Sequence, residues 1–246
     1  IIIERKQEVS KLSLDIRMWR HVFKLDPARS ISDDALELLC LSGTDAIIVG
    51  GSTDVTYDNT VDLLSRLRKY EMPCILEISA VQAIVPGFDR YFIPMVLNAG
   101  HCDWIVGHHQ RALRDYGALL NWDIVIAEGY VILNENSTVA RVTVANCNLD
   151  ESDLIAYARM TDKLLRFPIF YMEYSGAFGN MAWVRQAAGV LKEARLFYGG
   201  GIDDPDKARE AAGAAHTIVV GNAIYENVTQ AIATVAAVKS VPHVLK

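Results

Sequence analysis

The chain has 246 residues, of which 51% are hydrophobic and 22% charged, and its formal net charge at pH 7 is −6. A chain of this length buries enough surface to form one large domain without disulfides or a structural metal. Its acidic balance, with no run of like charges, excludes binding to nucleic acid or anionic membranes through bulk electrostatics. Any phosphate group that the chain binds must therefore be held by a few local groups.

No stretch approaches the roughly 18 uninterrupted apolar residues of a membrane span, so none is predicted. The four cysteines lie far apart and form no CxxC pair, which predicts reduced, buried thiols in a cytoplasmic protein. Residues 1–18 carry scattered charges of both signs and lack the features of a secretory signal. We interpret them as an N-terminal extension, with Met18 as a candidate start, and residues 19–246 as a single domain.

From Trp19 onward, short apolar runs rich in β-branched residues alternate with segments of helical period. This alternation is typical of a parallel α/β sheet, and eight such strands can close a barrel. The predicted strands are 21–26, 46–51, 74–79, 104–107, 124–133, 169–174, 195–200 and 217–221. The predicted helices are 33–41, 59–70, 110–120, 152–165, 180–193, 205–213 and 223–238, with Asp33, Asp58, Ser152 and Asn180 as N-caps.

Two stretches break the alternation. Residues 80–100 contain Pro86 and Gly87 and have no clean helical period, which predicts an irregular or partly extended third crossover. Residues 129–142 suggest an extended segment, a polar turn and a second extended segment. This second pattern predicts a small hairpin.

Glycines follow the last two predicted strands, in Gly199-Gly200-Gly201 and in Gly221-Asn222. In an eight-stranded α/β barrel the chemistry lies at the carboxyl ends of the strands, and a phosphate site often follows strands seven and eight. Glycines there let backbone N–H groups approach an anion. A phosphate site is favoured over the alternative that the glycines only permit tight turns, but the pattern identifies no reaction.

Lys24 and Asp26 lie two residues apart at the end of the first predicted strand, and so on the same face. They are consistent with a simple ion pair. They are equally consistent with a lysine that faces a phosphate and an aspartate that, with the hydroxyl of Ser52, binds the magnesium of a diphosphate, since Mg²⁺ prefers hard oxygen ligands.

Glu173 is the favoured general base, because a charged residue between strand tyrosines in an apolar strand usually has a chemical role. Glu77 and Glu128 also lie at or near predicted strand ends and compete for this role. His108 and His109 suggest a metal, but neighbours on a strand point to opposite faces and no third ligand lies at a short spacing, so zinc is disfavoured.

The segments 19–27, 50–52, 85–89, 170–176, 197–202 and 219–225 resemble the geranylgeranylglyceryl phosphate synthase family, in its bacterial heptaprenylglyceryl phosphate synthase branch. The resemblance covers residues 19–239. It implies a modified (βα)8 TIM barrel with the third helix replaced by extended chain. It also implies a prenyltransferase of ether phospholipid biosynthesis that joins a polyprenyl diphosphate, heptaprenyl diphosphate in this branch, to the C3 hydroxyl of sn-glycerol 1-phosphate and releases diphosphate. The family further suggests Mg²⁺ as cofactor, a homodimer, and a peripheral contact with the membrane through the lipid substrate.

The resemblance assigns roles by matching motifs. Asp26 and Ser52 would bind magnesium; members of the family often carry threonine where Ser52 stands, and serine retains the oxygen. Ala112 is small enough to leave a deep groove open. The residues that would bind sn-glycerol 1-phosphate are Lys24, Tyr171, Met172, Glu173, Tyr174, Ser175, Gly176, Gly201, Gly221 and Asn222. The candidates for an apolar groove around the prenyl tail are Val85, Pro86, Phe88, Tyr91, Phe92, Ile93 and Pro94.

Two other interpretations remain open from the residues alone. A sugar-phosphate isomerase or aldolase on another phosphate-binding barrel would use the same glycine turns. A non-catalytic carrier of a prenyl lipid or flavin phosphate would keep these turns but would not need Glu173 or Asp26.

Overall fold

Eight parallel strands close into a barrel in chain order, and the last strand pairs with the first, in the computed structural model, which describes residues 14–242. Each strand is largely apolar because one face lines the barrel interior and the other packs against helices. The strands are β1 (His21–Leu25), β2 (Ala46–Val49), β3 (Cys74–Glu77), β4 (Arg90–Val96), β5 (Val125–Ile132), β6 (Ile169–Glu173), β7 (Arg195–Gly199) and β8 (Thr217–Val220). The predicted eight-stranded barrel is confirmed.

Nine α-helices occur within residues 14–242, and most begin at a side chain that caps the backbone. Asn180 is the cap that the sequence predicts. In the other three helices the cap lies one or two residues before the predicted one, at Ser32, Thr56 and Asp150. The helices are α1 (Asp33–Leu41), α2 (Tyr57–Leu67), α3 (Gly107–Tyr116), α4 (Thr138–Thr143), α5 (Glu151–Arg159, continued by a π-turn over Met160–Leu165), α6 (Met181–Val190), α7 (Pro205–Ala212), α8 (Ala223–Glu226) and α9 (Val228–Lys239). None of the helices in this range is long and apolar enough to cross a membrane.

The third crossover contains no α-helix, as predicted, and only a short 3₁₀ turn (Val81–Ala83) lies between β3 and β4. The predicted fourth strand at 104–107 is wrong. That segment holds the end of a 3₁₀ turn (Cys102–Trp104) and the start of α3, and the real fourth strand lies in the stretch predicted to be irregular or partly extended. Pro94 hides this strand, because a proline lacks the N–H that a strand interior uses.

The predicted hairpin over 129–142 is also wrong. β5 is one strand that pairs with β4 on one side and with β6 on the other. The chain then enters α4, where the Ser137 hydroxyl accepts a hydrogen bond from the backbone N–H of Ala140 at 3.1 Å. Val139 and Val142 are three residues apart, so they match a helical turn as well as a strand.

The barrel interior is filled by aromatic rings, with Trp19, Phe92 and Phe197 at centroid distances of 6.2 to 6.5 Å from one another. Ile16, which falls in the predicted extension, is buried beside this cluster. Residues 1–13, the rest of that extension, lie outside the described residues. All four cysteines are free, as predicted. Only Cys74 is fully buried, while Cys40 and Cys147 are half-buried and Cys102 is exposed, so the prediction of buried thiols holds for Cys74 alone.

Candidate active site

A cavity of about 1110 Å³ opens at the carboxyl ends of the strands. The turns after six of the strands form its polar end, while β4 and α3 supply most of its apolar wall. Ten of the residues predicted to bind substrate or metal line this cavity: Lys24, Asp26, Ser52, Tyr171, Glu173, Ser175, Gly176, Gly201, Gly221 and Asn222.

Two of the predicted substrate-binding residues do not bring their side chains to the cavity. Side chains alternate along a strand, so Met172 faces the helices while its neighbours Tyr171 and Glu173 face the interior. Tyr174 packs against Tyr198, with ring centroids 5.8 Å apart. The alternation in β6 thus divides the predicted motif between the site and the outer core.

Lys24 forms a buried ion pair, but with Glu77 on β3 rather than with Asp26. Its Nζ donates to both carboxylate oxygens of Glu77, at 2.6 and 2.9 Å, and the two side chains are 18% and 9% exposed. Burial alone would lower the pKa of Lys24, but the neighbouring carboxylates outweigh it and raise the pKa. Both oxygens of Glu77 accept from the Lys24 ammonium, so this carboxylate serves as the counter-ion of the lysine.

Glu173 reaches the cavity with both carboxylate oxygens held in place. Oε2 accepts a hydrogen bond from the Tyr130 hydroxyl at 2.6 Å, and Oε1 accepts one from the backbone N–H of Ser175 at 2.7 Å. Burial raises the pKa of Glu173, while the charge of Lys24 opposes that shift. A carboxylate with a raised pKa is a stronger base than an ordinary glutamate, and this one faces the cavity in a fixed orientation.

Glu128 is the third glutamate of the barrel interior, and it does not line the cavity. The side chain is completely buried, and neither oxygen has a hydrogen-bond partner among residues 14–242. Burial raises the pKa of Glu128 well above its ordinary value, with the charge of Glu77 as the next cause. Because an ionised carboxylate without partners is costly to bury, burial favours the neutral form of Glu128. This separates it from the role of cavity base.

The glycine turn after β7 is pressed against the loop that follows β6. Gly200 and Gly201 have φ angles of +145° and +59°, which side-chain-bearing residues rarely adopt. A Cβ at Gly201 would also overlap the backbone of Phe178. Both glycines are therefore required by the backbone geometry, and they bring main-chain groups to the polar end of the cavity.

The turn after β2 packs on Asp26 because residue 51 is glycine. A Cβ at Gly51 would overlap the Asp26 carboxylate, so the two turns approach at van der Waals distance. Asp26 Oδ1 accepts a hydrogen bond from the Ala28 N–H at 2.9 Å, and within residues 14–242 the carboxylate makes no salt bridge. With the Ser52 hydroxyl at the same cavity wall, this oxygen donor set fits a magnesium ion.

His108 and His109 lie on α3, not on a strand, so the argument from opposite strand faces does not apply to them. Both line the cavity, yet each has its own partner. His108 Nδ1 lies 3.0 Å from Arg111, and His109 Nε2 lies 3.1 Å from the carbonyl oxygen of Pro94. Their side chains are thus tied to separate neighbours rather than aimed at one point.

The apolar end of the cavity agrees in part with the predicted groove. Val85 and Phe92 do not line the cavity. Val85 packs in the core between the strands and the helices, and Phe92 packs inside the barrel. Between residues 99 and 127 no side chain is buried, although many of them are apolar and line the cavity. The predicted groove residues that line it are Pro86, Phe88, Tyr91, Ile93, Pro94 and Ala112.

Sequence reasoning missed two participants, Tyr130 and Arg29, and considered Glu77 only as a competing base. Tyr130 orients Glu173, Glu77 neutralises Lys24, and Arg29 stands at the mouth of the cavity. Arg29 carried a usable signal, since it is a basic residue in the first strand-to-helix turn. The other two depend on how strands meet across the barrel, which no local spacing reveals.

A family model described as the PcrB family matches residues 14–239. The chain belongs to the PcrB family. Among its curated relatives is the heptaprenylglyceryl phosphate synthase of Bacillus cytotoxicus, which is 53% identical over 92% of this chain and 98% of the relative. The protein of the same name from Geobacillus sp. strain WCH70 is also 53% identical, over 92% of this chain and 99% of the relative.

Two solved structures illustrate the range of proteins whose fold is similar to that of this PcrB-family barrel. The (S)-3-O-geranylgeranylglyceryl phosphate synthase of Thermoplasma acidophilum, in complex with sn-glycerol-1-phosphate, matches with a TM-score of 0.83 at 25% identity, over 95% of this chain and 99% of the other. The tryptophan synthase α chain of Legionella pneumophila matches with a TM-score of 0.56 at 15% identity, over 96% of this chain and 98% of the other. At that identity the second likeness concerns the barrel fold alone.

Proposed function

We propose that this member of the PcrB family transfers a prenyl group from a polyprenyl diphosphate to the C3 hydroxyl of sn-glycerol 1-phosphate. The chain is a prenyltransferase of the heptaprenylglyceryl phosphate synthase type, an assignment supported by curated relatives at 53% identity over 92% of its length. The structural observation that carries the proposal is the position of Glu173. This oriented, buried carboxylate lies between the glycine turns of a phosphate site and a long apolar cavity.

The acceptor binds at the polar end of the cavity. Its phosphate lies against the backbone of Gly201, Gly221 and Asn222, and the absence of a side chain at the two glycines allows close approach. The glycerol then extends toward Ser175 and Glu173. In this arrangement the phosphate anchors one end of the acceptor and leaves its far hydroxyl beside the carboxylate, which is the proximity that a transfer reaction needs.

The proton of the attacking hydroxyl passes to Glu173. A bond forms between the C3 oxygen of glycerol and C1 of the prenyl group, and the bond from C1 to the diphosphate oxygen breaks, with the electron pair leaving on diphosphate. Tyr130 and the Ser175 N–H keep the carboxylate aimed at the hydroxyl. Burial raises the pKa of Glu173 and so strengthens it as a base.

Asp26 and Ser52 would hold Mg²⁺ at the cavity wall beside the first two turns. When bound, the ion neutralises charge on the diphosphate and assists its departure. We expect Asp26→Asn to raise the Mg²⁺ concentration needed for half-maximal activity. The same variant should bind Mg²⁺ more weakly in calorimetry performed without the prenyl substrate.

The prenyl tail occupies the apolar end of the cavity, against β4 and α3. Helix α3 has no buried residue in this structure although its inner side borders the cavity, so a bound tail supplies the missing apolar cover. Leu119 and Trp122 stay 83% and 57% exposed at the cavity edge. We propose that these exposed apolar side chains contact a lipid surface, which vesicle flotation would measure. We also propose that the chain forms a homodimer in the cytoplasm, as the family suggests, and sedimentation would measure its mass.

The decisive assay incubates the protein with labelled sn-glycerol 1-phosphate, Mg²⁺ and a series of polyprenyl diphosphates, and detects the ether product. Glu173→Gln should lower kcat by about 100-fold or more, the usual contribution of a general base. Glu210→Gln, an exposed glutamate on α7, is the matched control. The absence of an ether product, or full activity of Glu173→Gln, would overturn the proposal.

A further inference from the structure

Arg29 stands at the mouth of the cavity, in the turn between β1 and α1, three residues after Asp26. Its backbone N–H donates to the Asp26 carbonyl at 3.0 Å, so the two residues share one tight turn. The side chain is exposed and points along the cavity lining.

The charges that line the cavity are mostly negative. Within residues 14–242 the lining contains five carboxylates and only two lysine or arginine side chains, Lys24 and Arg29. Lys24 is neutralised by Glu77, at 2.6 Å. Arg29 makes no salt bridge with any described carboxylate, so it is the one arginine or lysine of the lining whose charge is available to an anion.

The guanidinium of Arg29 is fixed in place by neutral neighbours. It lies 3.8 Å from the centre of the Tyr225 ring and donates one hydrogen bond to Asn222 Oδ1 at 3.0 Å. The Tyr225 hydroxyl in turn accepts from the backbone N–H of Asp26 at 2.9 Å. An arginine that is stacked on an aromatic face and held by an amide keeps its remaining N–H groups and its full charge for a ligand.

We propose that Arg29 binds a phosphate group of the substrates at the cavity mouth. Its location connects the turn of Asp26, where the diphosphate is expected, with Asn222, where the phosphate of the acceptor is expected. A planar guanidinium suits this ligand because two of its N–H groups match two phosphate oxygens. The inference rests on the proposed function, since both substrates of that reaction carry phosphate groups.

The test compares Arg29→Gln and Arg29→Lys with the wild type, and uses Arg159→Gln, an exposed arginine on α5, as the matched control. Initial rates give KM for sn-glycerol 1-phosphate and for the prenyl diphosphate, and inhibition by inorganic pyrophosphate gives its Ki. Arg29→Gln should raise KM for one of the two substrates by about tenfold or more, the effect of losing a charge-assisted hydrogen bond. If that substrate is the prenyl diphosphate, Ki for pyrophosphate should rise with it. Arg29→Lys should recover part of this loss, and the melting temperature of each variant separates weaker binding from the loss of the contacts with Tyr225 and Asn222.

The pattern of changes identifies the phosphate. A joint rise in KM for the prenyl diphosphate and Ki for pyrophosphate assigns Arg29 to the donor, whereas a rise confined to KM for sn-glycerol 1-phosphate assigns it to the acceptor. Unchanged constants for all three ligands, or a change in kcat alone, would overturn the inference. Failure of the wild type to form an ether would instead contradict the proposed function, and pyrophosphate binding by calorimetry would then still test Arg29.

Discussion

Replacing Glu128 by glutamine should stabilise the protein, by an amount that grows with pH. The carboxyl is completely buried without a hydrogen-bond partner in the described chain, and burial raises its pKa well above 4.5. Above pH 4.5 the unfolded chain releases this proton while the native protein keeps it. The native state therefore loses stability as pH rises from 4.5 toward the raised pKa of the native carboxyl. The free energy of unfolding then falls by up to about 1.4 kcal/mol per pH unit. Glutamine is neutral in both states, so the substitution removes this dependence on pH.

The assay is a set of thermal melts of Glu128→Gln and wild type between pH 5 and pH 7.5. A domain of this size shifts by about 2 to 4 °C per kcal/mol, so the difference in melting temperature should widen by about 3 to 6 °C per pH unit. Glu37→Gln, an exposed glutamate on α1, controls for the loss of a surface charge. A difference between Glu128→Gln and wild type that stays constant across this interval would refute the argument that the native carboxyl holds its proton.

Other substitutions test the buried ion pair and the backbone of the site. Lys24→Met leaves Glu77 buried and unpaired, so urea unfolding should show a loss of about 3 to 5 kcal/mol, most of which the double variant with Glu77→Gln should recover. Gly189→Ala, with no atom within 4 Å of the added Cβ, should stabilise α6 by about 0.5 to 1 kcal/mol. Gly201→Ala, with a φ of +59° and an overlap with Phe178, should cost about 1 to 3 kcal/mol and weaken binding of sn-glycerol 1-phosphate; equal melting temperatures for the two alanine variants would contradict this reasoning.

The repeating strand and helix pattern could be predicted because each element has a local signature. The errors arose where local signals were mixed. Pro94 concealed β4, because a proline is unfavourable inside most strands, and the valines at 139 and 142 suit either a strand or a helical turn. In both places pairing and packing in the closed barrel decided the outcome, and neither is visible in a short window of sequence.

In the candidate site, too, local pattern predicts part of the arrangement and strand pairing decides the rest. Periodicity places Lys24, Glu77, Glu128 and Glu173 on the inner faces of their strands, but these residues are about 50 positions apart along the chain. Strand register decides their heights: Glu173 pairs with Ile132, four residues beyond Glu128 on β5, so Glu128 lies deeper in the barrel. That difference leaves Glu173 facing the cavity and Glu128 completely buried below it. The stagger of the strands therefore gives two residues of identical chemistry different surroundings, and the proposed function gives them different roles, base and neutral acid.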